Sequence, residues 1–329
     1  MSLVSETNAT ASTITRSDDE GTRSEQAILP APDAAQKGIV PSESQAGAEA
    51  LPVIVIRQKS AWAVFDLRDV WRYRDLLVAL AERDIKLRYR QTALGAIWVI
   101  LQPLLAAGVV TILFGRFGGL SAGKIPYFVF SFAGMMGWNV FTQTVAKSSS
   151  SLLGNAQLVA KVYFPRIILP FSTALSTLFD LCVSAVVLTL LMAITHTGTG
   201  LQIVTAPIWL ALLFLIAMGI GLFTGALQVT YRDIGSIQGI ILQYGMWATP
   251  AGYSLAAAIQ KGPKLFWFFQ LNPLSHLLEG LRWSIFGTSP DVVPPSPLGV
   301  AYGVATAIVV FLGGMLAFGS MQRRFADVI

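Results

Sequence analysis

Charged residues are scarce in this sequence. Only 12% of its 329 residues are Asp, Glu, Lys or Arg, whereas 54% are hydrophobic. Soluble globular proteins contain about 25% charged residues. The hydrophobic residues also form long runs, which the core of a soluble domain does not require. The composition therefore excludes an ordinary soluble domain and predicts an all-α, polytopic membrane protein, because helices satisfy their own backbone hydrogen bonds in lipid.

Residues that bind metals or form disulfides are scarce as well. Cys182 is the only cysteine, which excludes an internal disulfide and a Cys-x-x-Cys metal site. It lies in an apolar run and is interpreted as a packing residue. The only histidines are His196 and His276, and no Ser/His/Asp arrangement can be argued from spacing. We therefore expect no metal site, no cofactor and no catalytic residue in this chain.

The formal net charge is +5, and an excess of basic residues is also found in nucleic-acid-binding proteins. Here, however, the basic residues flank the apolar runs and do not form an RNA-binding motif. They are better interpreted as signals that hold loops on the cytosolic side of a membrane. No nucleic-acid partner is expected.

Six apolar stretches are each close to or above the roughly 20 residues needed to span a membrane. They are Ala93–Phe114, Ile125–Val145, Ile167–Ile194, Pro207–Val229, Ile234 to about Ala258, and Pro297–Ser320. Residues 93–329 are therefore predicted to form a six-helix transmembrane domain. Lys and Arg are more frequent in the segments that this arrangement places in the cytosol, so both termini are predicted to be cytosolic.

The region before the first stretch divides into two parts. Residues 1–50 are rich in Ser, Ala, Glu, Gln and Pro and are predicted to be a disordered cytosolic extension. Residues 51–92 are predicted to form cytosolic interface and gate helices. Within them, Asp66–Arg83 has the spacing of an amphipathic helix, which would lie on the membrane surface or pack on a soluble partner. The apolar positions are Leu67, Val70, Trp71, Leu77, Val78, Ala81 and Ile85.

Two further features suggest chemistry. Asp180 is the one acid deep in an apolar stretch, a costly position that favours a functional role. A hydrogen-bonding or subunit-contact role is preferred to proton coupling, because the sequence shows no intramembrane partner. The segment Gly118–Lys124 nearly matches a phosphate-binding P-loop, but Ile125 stands where the motif needs Ser or Thr. Nucleotide binding by this chain is therefore rejected.

Two connecting regions have unusual patterns. Residues 154–163 are predicted to form a short helix in a cytosolic loop, where a cytosolic motor could push on the chain; a simple turn is the alternative. Farther on, Pro250 interrupts the fifth stretch, and Asn272 followed by Pro273 is typical of a helix start. Glu279 and Arg282 can pair on one face of that helix. Their charges favour external re-entrant or interfacial helices over additional crossings.

Aromatic residues lie within or near the predicted crossings. Most of them fit the interfacial belt that is common in membrane proteins. A sharper interpretation is a channel lined by aromatic rings, on which the C–H faces of sugar rings would stack. The candidate channel residues are Trp98, Trp138, Phe141, Tyr244 and Trp247.

Four segments, in matching order, point to a known family. They are the Arg83–Pro103 run with LRYRQTALGAIWVILQP, NAQLVAKVYFPRIILP at 155–170, YRDI at 231–234 and LNPLSHLLEGLR at 271–282. Together they resemble the membrane subunit of bacterial ABC exporters of lipid-linked polysaccharides, the type 2 ABC permeases for O-antigen, capsule and teichoic acid. The similarity covers about residues 60–329. The long N-terminal extension departs from the shorter family members.

The resemblance implies a homodimer in a bacterial inner membrane, paired with two copies of a separate ATP-binding cassette subunit that would hold ATP and Mg²⁺. The exported substrate would be a long glycan on an undecaprenyl diphosphate anchor. The 154–163 helix would couple to the ATPase, and helices between 252 and 287 would form a periplasmic gate. The residues assigned to coupling are Asn155, Leu158, Lys161 and Tyr163, and those assigned to the external gate are Asn272, His276, Glu279 and Arg282.

The basic segment before the first crossing would form a second gate near the lipid headgroups. Lys86, Arg88 and Arg90 are placed to meet a diphosphate, a group that Arg and Lys bind strongly. A purely topological role, holding this end of the helix in the cytosol, explains the same residues equally well.

Three other functions remain open. A permease of the same group that exports a drug or another lipid is the closest alternative, and the sequence separates it poorly. A proton-coupled transporter would depend on Asp180. A polytopic membrane enzyme, such as a glycosyltransferase, would require an acidic cluster in a loop, and the sequence contains none.

Overall fold

The computed structural model describes residues 67–90, 97–119, 122–256, 263–289 and 292–322. Every regular element in these ranges is a helix, which confirms the all-α prediction for this part of the chain. The predicted disordered extension, residues 1–50, lies outside the described residues. The side chains of Arg90 and Trp98 lie outside them as well.

Eleven α-helices follow one another in the described ranges. The first five are α1 (Leu67–Arg72), α2 (Arg74–Arg90), α3 (Ile97–Val110), α4 (Tyr127–Gly154) and α5 (Ala156–Lys161). The others are α6 (Ile168–Ile194), α7 (Ala206–Thr230), α8 (Asp233–Ala248), α9 (Pro263–Leu271), α10 (Pro273–Phe286) and α11 (Pro297–Met321). A π-helical segment, Thr111–Phe117, continues α3, and a 3₁₀ segment, Leu201–Thr205, precedes α7.

Four helical segments of the described chain are long and apolar enough to cross a membrane. They are Ile100–Phe117, Ile168–Ile194, Leu201–Thr230 and Pro297–Met321. These segments coincide with the first, third, fourth and sixth predicted crossings. The protein is therefore a multi-pass membrane protein, and many large apolar side chains on its helices are exposed, as lipid contact requires.

The second and fifth predicted crossings are different. Helix α4 has 28 residues, but most of them are buried and several are small or polar, such as Ser148 and Ser149. Because α4 packs among α3, α6, α7, α8 and α10, it does not need the continuous apolar surface of a lipid-facing helix. Helix α8 has only 16 residues and ends at Ala248, short of the ~20 residues that a perpendicular crossing needs. The count of six crossings therefore stays a prediction.

Glycine residues allow the central helices to approach one another closely. A Cβ atom on Gly219 of α7 would lie only 2.6 Å from the Cα atom of Phe311 on α11. A Cβ atom on Gly221 would lie 2.7 Å from the Cβ atom of Ser148 on α4. Small residues of this kind give close van der Waals packing between helices where lipid provides no hydrophobic driving force. They place α7 between α4 and α11.

Helices α1 and α2 occupy the region predicted to be one amphipathic helix, with a turn at Tyr73 between them. The apolar face differs from the predicted one, because Trp71 and Val78 are exposed whereas Leu80 is buried. Leu80 belongs to a buried hydrophobic cluster that includes Ile168 and Leu169 of α6, and Leu76 and Leu77 pack against this cluster. Helix α2 thus packs on this chain's own α6, an arrangement that neither sequence interpretation included.

Candidate functional site

Asp180 accepts hydrogen bonds from two basic side chains of other helices. Its Oδ2 atom accepts from Arg88 Nη1 of α2 and from Lys147 Nζ of α4, the latter at 2.8 Å. Asp180 lies in the middle of α6, and only 16% of its side chain is exposed. A buried carboxylate without cations would be strongly destabilising, so the two bonds explain how the acid is tolerated there. We call Arg88, Lys147 and Asp180 the ion cluster.

Two cavities meet at the ion cluster. The larger has a volume of about 630 Å³ and is lined by neutral polar side chains, among them Asn139 and Gln143, as well as apolar ones. The smaller, about 450 Å³, extends between α2 and the end of α4, where Asn155 lines it. Arg88 and Asp180 line both cavities. The ion pair between them therefore lies at the boundary of the two spaces.

The structure separates the three basic residues that the sequence grouped together. Arg88 faces the cavities, whereas Lys86 is largely exposed and pairs with Glu82 one turn earlier, at 2.5 Å. The side chain of Arg90 lies outside the described residues. Lys147, two residues after the end of the second predicted crossing, joins Arg88. It lies 33 positions from Asp180, so no local pattern could have predicted the contact.

The short helix predicted within residues 154–163 is present as α5. Asn155 precedes it, and its Oδ1 atom accepts a hydrogen bond from Arg83 Nη2 of α2 at 2.7 Å. Leu158 is partly buried against the cluster that holds α2 and α6 together. Tyr163, after the helix, is 80% exposed, and Lys161 is exposed beside it. Of the four residues predicted to couple, two are thus accessible and two contact this chain.

The predicted ion pair between Glu279 and Arg282 is present, with Arg282 Nη1 donating to Glu279 Oε1 at 3.2 Å. The pair does not form an outward charged face, because both side chains are almost completely buried. Arg282 also donates to the carbonyl oxygens of Ala251 and Tyr253, the latter at 3.0 Å. It therefore binds carbonyl groups of the non-helical backbone that follows α8.

The start of α10 has the predicted form. Asn272 Oδ1 accepts from the backbone N–H of Leu274 at 3.0 Å, and Pro273 is the first helical residue. The Asn272 Nδ2 atom also donates to Thr249 Oγ1, which ties α10 to the end of α8. His276 Nε2 lies 3.0 Å from the carbonyl oxygen of Gln270. Three of the four predicted gate residues thus contact the segment 248–255: Asn272, Glu279 and Arg282. The fourth, His276, contacts α9.

Comparison with known proteins assigns the chain to a family. A family model described as ABC-2 type transporter matches residues 75–286, more than half of the chain. The chain belongs to the ABC-2 type transporter family. Members of this family are membrane proteins that work with ATP-binding subunits. The matched range contains the ion cluster, α5 and α10.

Curated relatives of this ABC-2 type chain include permeases with named substrates. It is 28% identical to the O-antigen export system permease protein RfbA of Myxococcus xanthus over 265 residues, which cover 80% of this chain and 98% of that protein. It is 26% identical to the RfbA protein of Klebsiella pneumoniae over 260 residues, 78% of this chain and 95% of that one. It is 26% identical to the polysialic acid transport protein KpsM of Escherichia coli over 217 residues, 63% and 80% of the two chains.

The aromatic residues predicted to line a channel do not share one environment in this ABC-2 type chain. Trp138 and Phe141 are buried in the core and contact each other, with ring centroids 5.4 Å apart. Tyr244 and Trp247 lie on α8 and are 64% and 46% exposed. The structure gives Trp138 and Phe141 a packing role because α4 is enclosed by other helices. The channel interpretation stays a prediction for Tyr244 and Trp247.

Proposed function

We propose that this chain is the membrane-spanning half of an ATP-driven exporter of a polysaccharide linked to undecaprenyl diphosphate. Two copies would form a channel from the cytosol to the periplasm of a bacterium. The observation that carries the proposal is the match to the Myxococcus xanthus O-antigen permease, which extends over 98% of that protein. The relatives from Klebsiella pneumoniae and Escherichia coli are likewise named for O-antigen export and polysialic acid transport.

The proposal includes six crossings, with α4 and α8 as the second and fifth. Helix α4 is long enough to cross, at 28 residues. After α8, the bend at 249–255 would continue the fifth segment outward, held by Arg282. Six crossings would place both termini in the cytosol and the region of α9 and α10 outside, where they would form the periplasmic gate. The bias of Lys and Arg toward the cytosolic segments supports this orientation.

ATP would be hydrolysed in subunits other than this chain. Two ATP-binding cassette subunits would bind and hydrolyse ATP, and α5 would transmit their movement. The exposed Lys161 and Tyr163 are available for contact with such a subunit. The hydrogen bond from Arg83 to Asn155 connects α5 to α2, and α2 contributes Arg88 to the wall of both cavities. A displacement of α5 would therefore reach the cavity wall.

Deletion of the gene in its bacterium tests the substrate class. Without the protein, we expect the polysaccharide to disappear from the cell surface and its lipid-linked form to accumulate on the cytosolic side of the inner membrane. Labelling of surface glycan on intact cells, compared with extraction of lipid-linked glycan, measures both quantities. The wild-type gene on a plasmid should restore export, whereas a gene without residues 155–163 should restore neither export nor co-purification of the ATPase.

The closest alternative predicts a different result. If the chain exported a drug or another lipid, surface polysaccharide would be unchanged in the deletion strain and tolerance of that compound would fall. Unchanged surface glycan would therefore overturn the proposed substrate class, while the assignment to the ABC-2 type family would remain.

A further inference from the structure

We propose that Asp180 is a displaceable counter-ion that occupies Arg88 and Lys147 until a phosphate group of the transported lipid takes its place. This inference rests on the proposed function, since it concerns a substrate that carries a diphosphate. It assigns the phosphate site to the ion cluster rather than to a row of basic residues on α2. It also gives the buried acid a role in transport that requires no proton movement.

The first observation is that two cations share one carboxylate oxygen. Arg88 Nη1 and Lys147 Nζ both donate to Asp180 Oδ2. The neighbouring acid of the smaller cavity, Asp84, is bound by Arg83 at 2.8 Å. The group of three cations and two carboxylates therefore carries one positive charge in excess. An anion with more than one negative charge would suit this place better than a single carboxylate does.

The second observation is the position of the cluster. Arg88 and Asp180 line both cavities, so an anion that reached either one would meet the ion pair directly. Side-chain amides in the larger cavity offer neutral donors for further phosphate oxygens. They belong to Asn139 and Gln143.

The energetics favour exchange over simple addition. Without Asp180, Arg88 and Lys147 would be two partly buried cations, 36% and 22% exposed, held close together without a counter-ion, and Asp180 removes that penalty. A diphosphate offers several oxygens and can bind the Arg88 guanidinium through two parallel hydrogen bonds, which a single shared carboxylate oxygen cannot do. Asp180 would thus compete with the substrate. It binds Arg88 and Lys147 when no substrate is present, and the diphosphate displaces it because the diphosphate is the stronger anion.

The exchange would also change how the helices are held. Asp180 connects α6 to α2 through Arg88 and to α4 through Lys147. When phosphate binds the two cations, these connections are released, and α2 is freed from its polar contact with α6. Substrate binding would in this way loosen the helix that also contacts Asn155 at the start of α5.

Binding of inorganic pyrophosphate to the full-length chain, purified in detergent, tests the proposal. Asp180→Asn keeps the size of the side chain but removes its charge, so we expect pyrophosphate affinity to increase at least about tenfold, or 1.4 kcal/mol. Asp180→Glu, which retains the charge, should remain close to the wild type. If Asp180 were only a structural strut, Asp180→Asn would leave the affinity unchanged or lower it, and the proposal would be overturned.

A second measurement does not depend on the folding of an Asp180 variant. Arg88→Gln and Lys147→Gln should each weaken pyrophosphate binding at least about fivefold, because each removes one charge-assisted bond to the anion. Arg74→Gln, an exposed change on the same helix as Arg88, should have no effect. Unchanged affinity in both cluster variants would overturn the proposal by itself.

The outcome is distinguishable from that of the proposed function. If the deletion strain loses surface polysaccharide but pyrophosphate binding does not respond to Asp180, Arg88 or Lys147, the counter-ion proposal alone is wrong. If the binding results hold while surface polysaccharide is unchanged, the site binds the phosphate of a different lipid, and the substrate class is wrong.

Discussion

Arg83 and Asn155, 72 positions apart, are joined by a hydrogen bond of 2.7 Å from Nη2 to Oδ1. The bond connects α2, which contributes Arg88 to the cavity wall, with the residue at which α5 begins. Asn155 also makes a second hydrogen bond, in which its Nδ2 atom donates to the carbonyl oxygen of Ser151 at the end of α4. Under the proposed function, a displacement of α5 would reach α2 through the side chain of Asn155, which is hydrogen-bonded to α2 and to α4.

Asn155→Ala should uncouple ATP hydrolysis from export. The variant removes the acceptor for Arg83 and leaves the exposed part of α5 unchanged, so the ATPase should still bind and hydrolyse ATP. Because Arg83 is partly exposed, the loss of stability should be less than about 1 kcal/mol. We expect the amount of glycan exported per ATP hydrolysed to fall severalfold in vesicles that contain both subunits.

Gln157→Ala is the matched control, since Gln157 lies on the same short helix and is exposed. Its ratio of export to hydrolysis should equal that of the wild type. Equal ratios for Asn155→Ala and Arg83→Gln as well would show that the bond plays no part in coupling.

Two adjacent glycines of α11 should respond in opposite directions to the same substitution. A Cβ atom on Gly314 would collide with the backbone of Gly219 on α7, whereas one on Gly313 would meet nothing within 4 Å. Gly314→Ala should therefore destabilise the protein by more than about 1 kcal/mol, since two backbones cannot both move away easily. Gly313→Ala should be neutral or stabilising by up to about 1 kcal/mol, because alanine favours the helix.

Thermal unfolding in detergent, followed by circular dichroism, measures the two effects. The midpoint for Gly314→Ala should fall and that for Gly313→Ala should not. A similar decrease for both variants would mean that helix α11 does not contact α7 in the way the structure shows.

Arg282→Met should destabilise the protein strongly. It would remove the donors to Ala251, Tyr253 and Glu279 and leave a buried carboxylate without its cation. Breaking a buried ion pair in this way costs about 3–5 kcal/mol. Loss of folded protein, measured by size-exclusion chromatography after mild heating, should be clear in comparison with the wild type.

The double variant Glu279→Gln/Arg282→Met should recover part of this loss, because it no longer buries an unpaired charge. Arg116→Met is the control, since it makes the same substitution at an exposed arginine. Its heat resistance should equal that of the wild type. Wild-type heat resistance in the single variant Arg282→Met would contradict the role assigned to the pair.

The single cysteine makes the six-crossing topology directly testable. In a Cys182→Ser background, the single changes Arg116→Cys and Gly198→Cys should react with a membrane-impermeant maleimide on intact spheroplasts. Tyr163→Cys and Tyr231→Cys should react only after the membrane is opened, because six crossings place them in the cytosol. All four positions are exposed in the structure. Labelling of Tyr163→Cys in intact cells would mean that α4 does not cross as proposed.

Periodicity and charge along the sequence were sufficient for the local features of this protein. The four apolar segments that are long enough to span depend on composition within a single segment. The helix start at Asn272 and the Glu279–Arg282 pair depend on neighbours within one helical turn. The second crossing was harder to predict from the sequence, because most apolar residues of α4 contact neighbouring helices rather than lipid. For the same reason, Trp138 and Phe141 were assigned to a channel although they lie in the core.

The class of the protein, a multi-pass helical membrane protein, was determined by the sequence alone, since lipid imposes length and composition on every crossing. Which charges meet was decided only by the tertiary structure. Arg88, Lys147 and Asp180 come from three helices and are separated by 33 to 92 positions. Their contact depends on how α2, α4 and α6 rotate and pack, and no periodic pattern in a single segment records that rotation.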